Sequence, residues 1–136
     1  MKDTTIDDIS LISIPKIKEV RGNLGVIEGD VIPFEIKRVY YLYDVPSDAQ
    51  RGGHAHKELY QFLIPLSGSF DIKLHDGINK KTIHLNKPDK GLLLVPGIWR
   101  EMDNFSSGAV CLVLASQKFN EADYIRDFKT FKSFKR

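Results

Sequence analysis

Arg51-Gly-Gly-His-Ala-His-Lys57 is the stretch from which the fold is read. On a β-strand, His54 and His56 stand at i and i+2 and point to the same face. Behind a Gly-Gly turn the two imidazoles enter one pocket side by side. Paired histidines of this kind bind metals in small β-barrels. Farther along, Trp99-Arg-Glu-Met102 carries Arg100 where such a barrel would supply a third imidazole. A guanidinium is a permanent cation that donates but does not accept, so it cannot replace histidine as a metal ligand. The pattern keeps a histidine-lined pocket and gives up the metal. It suits proton chemistry on an anionic or carbonyl-bearing ligand.

Around this stretch, strand signals dominate. Short β-branched or apolar runs are expected as strands at Ile9 to Ile14, Leu24 to Glu28, Leu59 to Leu66, Lys81 to Leu85, Gly91 to Val95 and Val110 to Ala115. Ile36 to Tyr43 alternates, with Ile36, Arg38, Tyr40 and Leu42 on one face and Lys37, Val39, Tyr41 and Tyr43 on the other. Ser69 to His75 also alternates, and meets an Asp76-Gly77 hairpin turn. Helix is expected only from about Glu121, with Phe128, Phe131 and Phe134 forming its packed face. Many short strands between Gly, Pro, Asn and Asp turns predict an all-β, antiparallel jelly-roll barrel with a short C-terminal helix. A small barrel lets inward residues of several strands converge on one ligand.

Composition narrows the class. The 136 residues fit one domain spanning 1–136, and a 42% hydrophobic, 28% charged chain can bury a core. No apolar run approaches the roughly 20 residues of a membrane span, and the start, Met1-Lys-Asp-Thr-Thr-Ile-Asp-Asp8, is too polar for a signal peptide. The single cysteine, Cys111, excludes an internal disulfide and lies in an apolar run, so it reads as a buried structural thiol in a cytoplasmic protein. A net charge of +2, with Lys129, Lys132 and Lys135 on the terminal segment, is too small a basic patch for nucleic acid.

The spacing of these residues resembles that of the cupin superfamily. Its first motif, HxH followed by glutamate and glycine, is matched by His54, His56, Gln61 and Gly68, with glutamine in place of the glutamate. Its second motif is matched by Pro96-Gly-Ile-Trp-Arg100 and Asn104, with arginine in place of the histidine. An amide and a guanidinium make a poor divalent-metal site, so no metal and no other cofactor is expected. Closer still, Ile32-Pro-Phe-Glu-Ile-Lys-Arg-Val-Tyr-Tyr41, Arg51 to Lys57, Trp99 to Met102, Val113-Leu-Ala-Ser116 and Asp123-Tyr-Ile-Arg126 resemble the bacterial, WxcM-like nucleotide-sugar 3,4-ketoisomerases. The likeness runs from about Arg21 to Arg126. It implies an isomerase that moves the keto group of dTDP-4-keto-6-deoxy-glucose from C4 to C3, toward 3-amino-3,6-dideoxy sugars of surface polysaccharide. It also implies a homodimer. A 3,5-epimerase of dTDP-sugars and a non-catalytic sugar-nucleotide-binding cupin are the alternatives.

That chemistry asks for these residue types. Shifting a ketone along a sugar ring removes the C3 proton, passes through an enediol and protonates C4. A base that titrates near neutrality serves best, which points to histidine. The resemblance implies His54 as the base. His56, on the same face, can relay a proton or bind a sugar oxygen, and Tyr40 can act as acid. Arg100, Arg38 and Tyr40 are candidates to stabilise the enediolate, and Arg51 to bind the diphosphate. Gln61 completes the expected substrate-binding set. Arg21 joins it with Arg100, because family members differ at these two positions along with the C4 configuration of their products. Asp123 can orient an imidazole or cap the last helix. His75 and His84 read as solvated hairpin residues.

Overall fold

The computed structural model describes residues 3–135. After one 3-10 turn at Ile6–Asp8, twelve strands follow: β1 (Ser10–Ser13), β2 (Lys16–Glu19), β3 (Gly22–Gly25), β4 (Arg38–Leu42), β5 (Arg51–His56), β6 (Gln61–Ser67), β7 (Phe70–His75), β8 (Lys80–Leu85), β9 (Lys90–Leu94), β10 (Trp99–Asp103), β11 (Val110–Ala115) and β12 (Tyr124–Ile125). Helix α1 (Phe128–Phe134) ends the chain. Two five-stranded antiparallel sheets, ordered β1-β9-β6-β11-β4 and β12-β5-β10-β7-β8, face each other as a jelly roll. Among the described residues no helix is long and apolar enough to cross a membrane.

Three apolar layers hold the sheets. Leu63, Phe70, Ile72, Leu92, Cys111 and Val113 fill the space between them, and burial pushes the Cys111 thiol up to about 12. On the outer face of the first sheet, Phe62, Ile64, Leu93 and Leu114 are covered by Ile27, Val31, Ile32 and Phe34 from the segment leading into β4. That second cover explains why β6 and β9 read as unbroken apolar runs instead of alternating ones. Phe128 and Phe131 of α1 pack on Ala55, Trp99 and Ile125 at the outer face of the second sheet.

The C-terminal segment departs from the expected helix. Glu121–Asp123 forms a 3-10 turn capped by the Asn120 side chain, then Tyr124–Ile125 pairs with β5. The helix begins only after Asp127, whose carboxylate accepts the Thr130 N–H at 3.0 Å. Asp123 is therefore not its cap. β2 and β10 are additional elements, and β3 overlaps the strand expected at Leu24 to Glu28 only at Leu24 and Gly25. The alternation rule misses β2 because all its residues are exposed, and β10 because it turns Arg100 inward.

What positions the site is a bulge in β5. Across the β10 pair, Arg100 faces His54 and Met102 faces Arg51, so β5 spends three residue steps where β10 spends two. Gly52 carries the extra residue at φ +85°, a conformation that glycine adopts without strain. Arg51 and His54 would otherwise point to opposite faces at this spacing; the bulge turns both toward one cavity. The Gly-Gly pair is thus a bulge within a strand and not a turn before one. An added Cβ at Gly52 meets nothing closer than 3.8 Å, so its penalty is purely one of backbone. We expect Gly52→Ala to cost about 1–2 kcal/mol. Gly53→Ala, at a neighbouring position without positive φ, should not. Thermal melts of the two variants measure this.

Candidate active site

A cavity of about 380 Å³ opens between the two sheets. The first sheet lends it Arg38, Tyr40 and Leu42 from β4, Gln61 and Leu63 from β6, and Val113 from β11. The second lends Arg51, Gly52 and His54 from β5, and Arg100 and Met102 from β10, with Tyr124 and Arg126 from the C-terminal arm. Six of the eight residues expected at the site thus share one cavity. His56 lies directly behind, fully buried. Arg21 is not brought there within the chain. It sits at the turn of the β2–β3 hairpin, 88% exposed, 3.8 Å from Glu19.

Arg100 organises the floor. It is buried, and it donates through one terminal nitrogen to the Gln61 side-chain oxygen. Because a guanidinium only donates, the amide of Gln61 must present its oxygen to Arg100 and its NH2 to the other side. There it donates to the Tyr40 hydroxyl at 2.8 Å. Tyr40 therefore accepts from Gln61 and keeps its own O–H free for the cavity. A glutamate at this position could not donate to Tyr40, which gives a reason for glutamine. Burial raises the Tyr40 hydroxyl above its usual value of 10, so it holds its proton at neutral pH. Burial also lowers Arg100 to about 10, which leaves it charged. Its second terminal nitrogen is buried without a partner, as is Nε of Arg38.

The histidines stand beside Arg100, on the neighbouring strand of the same sheet. Nε2 of His54 lies 3.1 Å from Nε2 of His56, and Nδ1 of His56 lies 3.0 Å from a carboxylate oxygen of Asp123. The other Asp123 oxygen accepts the Glu58 N–H at 2.8 Å. The rings of His54 and His56 are perpendicular, with the Tyr124 ring packed 4.9 and 4.4 Å from them and the Arg126 guanidinium over Tyr124 at 4.1 Å. Burial, then the charge of Arg100, lowers His54 to about 3 and pushes His56 down as well. Neither imidazole titrates near neutrality; both are held neutral. Among the described residues no three His, Cys, Asp or Glu side chains converge as a metal site, and the two Nε2 atoms face each other.

Sequence reasoning assigned no role to Tyr124 and Arg126. The signal was present in Asp123-Tyr-Ile-Arg126, but a helix assumed from Glu121 hid the alternation that turns Tyr124 and Arg126 to the cavity. His75 is also less solvated than expected, with its ring 5.0 Å from that of Phe128, whereas His84 is exposed and pairs with Asp71 at 2.6 Å.

Residues 7–136 match the family described as FdtA: WxcM-like, C-terminal. The chain belongs to this family. A curated relative, the TDP-4-oxo-6-deoxy-alpha-D-glucose-3,4-oxoisomerase of Aneurinibacillus thermoaerophilus, is 46% identical over 125 residues, covering 91% of this chain and 90% of its own. The 3,4-ketoisomerase QdtA of Thermoanaerobacterium thermosaccharolyticum, solved as a histidine-to-asparagine mutant with TDP-4-keto-6-deoxyglucose, superposes with a TM-score of 0.91 at 45% identity, over 93% of this chain and 92% of that one. WlaRB of Campylobacter jejuni, a TDP-quinovose 3,4-ketoisomerase, gives 0.89 at 47% identity, over 93% and 98%. The WxcM-like fold accordingly carries its cavity on the inward faces of both sheets in this chain.

The depressed histidines set a pH dependence of stability. Below the unfolded value of 6.5 the unfolded chain binds protons that folded His54 and His56 refuse. Their contribution is fully present above about pH 6.5 and is lost as pH falls toward 3. We expect a thermal midpoint that is level above about pH 7 and drops below about pH 6, with a shallower drop in His54→Asn scanned in parallel.

Proposed function

We propose that the chain is a TDP-sugar 3,4-ketoisomerase acting on TDP-4-keto-6-deoxyglucose, with His54 as its base. The observation that carries this reading is the convergence of a neutral imidazole, a buried guanidinium and a protonated phenol on one cavity. His54 removes the C3 proton. The charge that develops on O4 lies beside Arg100, whose unpartnered nitrogen is free to donate to it. The O3 proton passes to O4 by way of the Tyr40 hydroxyl, and a proton returned to C4 leaves the ketone at C3. One proton moves between carbons and one between oxygens, so no oxidant or reductant is required. Arg51, exposed at the cavity mouth, and Arg38 bind the diphosphate. Its negative charge offsets the arginines that depress His54, raising the imidazole toward a useful basicity once substrate is bound.

The product has the ketone where a 3-aminotransferase needs it. This supports a role in making 3-amino-3,6-dideoxy sugars for surface polysaccharide, in the cytoplasm, without nucleic-acid or membrane partners. In D₂O with TDP-4-keto-6-deoxyglucose, NMR should show exchange of the C3 proton and growth of the 3-keto sugar. His54→Asn should lose about 10²–10⁴-fold in turnover while still binding TDP. Chelator treatment should change neither activity nor thermal midpoint. Turnover of His54→Asn within threefold of the unaltered protein removes His54 from the role of base.

We further propose a homodimer in which the β2–β3 hairpin lies on a second copy. Every residue of both strands is exposed, and Ile17, Val20 and Leu24 offer apolar surface that no described residue covers. Docked on a partner, the hairpin would bring Arg21 toward that partner's cavity. Sedimentation at micromolar concentration should give a dimer, and Val20→Asp with Leu24→Asp should shift it toward monomer without unfolding the barrel.

A further inference from the structure

Asp123 lies outside the cavity but touches the histidine pair from behind. Its carboxylate is nearly buried and has both oxygens occupied, one by the Glu58 N–H and one by Nδ1 of His56. A carboxylate accepts, so Nδ1 of His56 carries a hydrogen. In a neutral ring, Nε2 of His56 is then bare and can only accept. Among the described residues its hydrogen-bond partner is Nε2 of His54, at 3.1 Å, which must be the donor. Neutral His54 is therefore protonated at Nε2 and bare at Nδ1. That Nδ1 is engaged by no hydrogen bond among the described residues, on a side chain that lines the cavity.

We propose that Asp123 is the positioning residue of the reaction: acting through His56, it fixes the proton on Nε2 of His54 and so makes Nδ1 of His54 the basic atom. This rests on the isomerase reading given above. The C3 proton arrives at Nδ1, and His54 becomes an imidazolium. Its Nε2 proton can move across to Nε2 of His56, whose Nδ1–H remains held by the Asp123 carboxylate. Reversal of the same transfers restores the resting state when the proton is delivered to C4, and no proton is gained or lost. The geometry also explains why the transient cation survives beside Arg100, Arg38 and Arg126, all of which disfavour it. Asp123 supplies the compensating negative charge. Tyr124, packed on both rings, keeps them perpendicular so that the two Nε2 atoms stay aligned.

Two measurements test this. In full-length protein with ¹⁵N-labelled histidine, and without any sugar nucleotide, NMR should report His56 protonated at Nδ1 and His54 at Nε2. A His54 protonated at Nδ1 overturns the proposal. Asp123→Asn keeps an oxygen for the Glu58 N–H but offers His56 an amide donor, which reverses the required tautomer in both rings. Its kcat should fall by about 10–100-fold with KM within about twofold, and the histidine ¹⁵N signals should exchange their pattern. Unchanged kcat and unchanged tautomers overturn the proposal. If the variant does not fold, the tautomers of the unaltered protein decide alone. Expected tautomers with no turnover of any keto-sugar nucleotide uphold the proton placement and overturn the substrate reading.

Discussion

A single buried cation governs this interior. Arg100 sits wholly inside a barrel where a charge is tolerated only with hydrogen-bond partners. Serving it commits the Gln61 oxygen, which commits the Gln61 amide to Tyr40, which leaves the Tyr40 proton facing the cavity. Burial lowers both histidines, and the same charge reaches them and lowers them further. The acid, base and electrophile of the proposed reaction thus all border one side chain, in the place that a metal-binding barrel gives to a third imidazole. A guanidinium stabilises developing negative charge as a metal would, but it does not need the imidazole lone pairs, and these stay free for proton transfer.

The proposed base, His54, presents the opposite problem to the one usually posed for a histidine. Its unperturbed value already suits neutral pH, yet the folded site drives it far below. A site full of arginine is tuned to a substrate that brings its own negative charge. The cavity's own residues are a weak base and strong cations; in the proposed reaction a diphosphate would rebalance both. Catalytic power and substrate recognition would then be coupled, because the group remote from the reacting carbons adjusts the proposed base.

Much of this was legible in the sequence, and the exceptions have causes. The β7–β8 hairpin, with Asp76 accepting the N–H groups of Ile78 and Asn79, follows from Asp-Gly turn chemistry. The inward face of β4, with Arg38, Tyr40 and Leu42, follows from alternation. Alternation failed at β10, because inward Arg100 inverts the usual rule that the buried face is apolar. It failed again at the C-terminal arm, where Glu121, Ala122 and Asp123 look helical but Asn120 caps a single 3-10 turn and Tyr124–Ile125 finds pairing partners on β5. Pairing with a distant strand is a tertiary fact that local propensity does not contain. Arg21 is named by the resemblance as a position at which family members differ, yet among the described residues nothing in one chain carries it to the cavity.

The pairing of β12 with β5 has a consequence for how the molecule comes into being. His56 and Asp123 are separated by 67 residues, and β12 is made after every other described strand. The two main sheets can collapse as soon as β11 is made, because their core draws on residues up to Val113. At that moment the imidazoles are already side by side, but no carboxylate holds them and no tyrosine packs against them. Long-range contacts of this kind close late. A nascent chain would thus pass through a stage in which the barrel is recognisable and the proposed proton path is not yet assembled, and that path closes only once Asp123 and Tyr124 have joined β5.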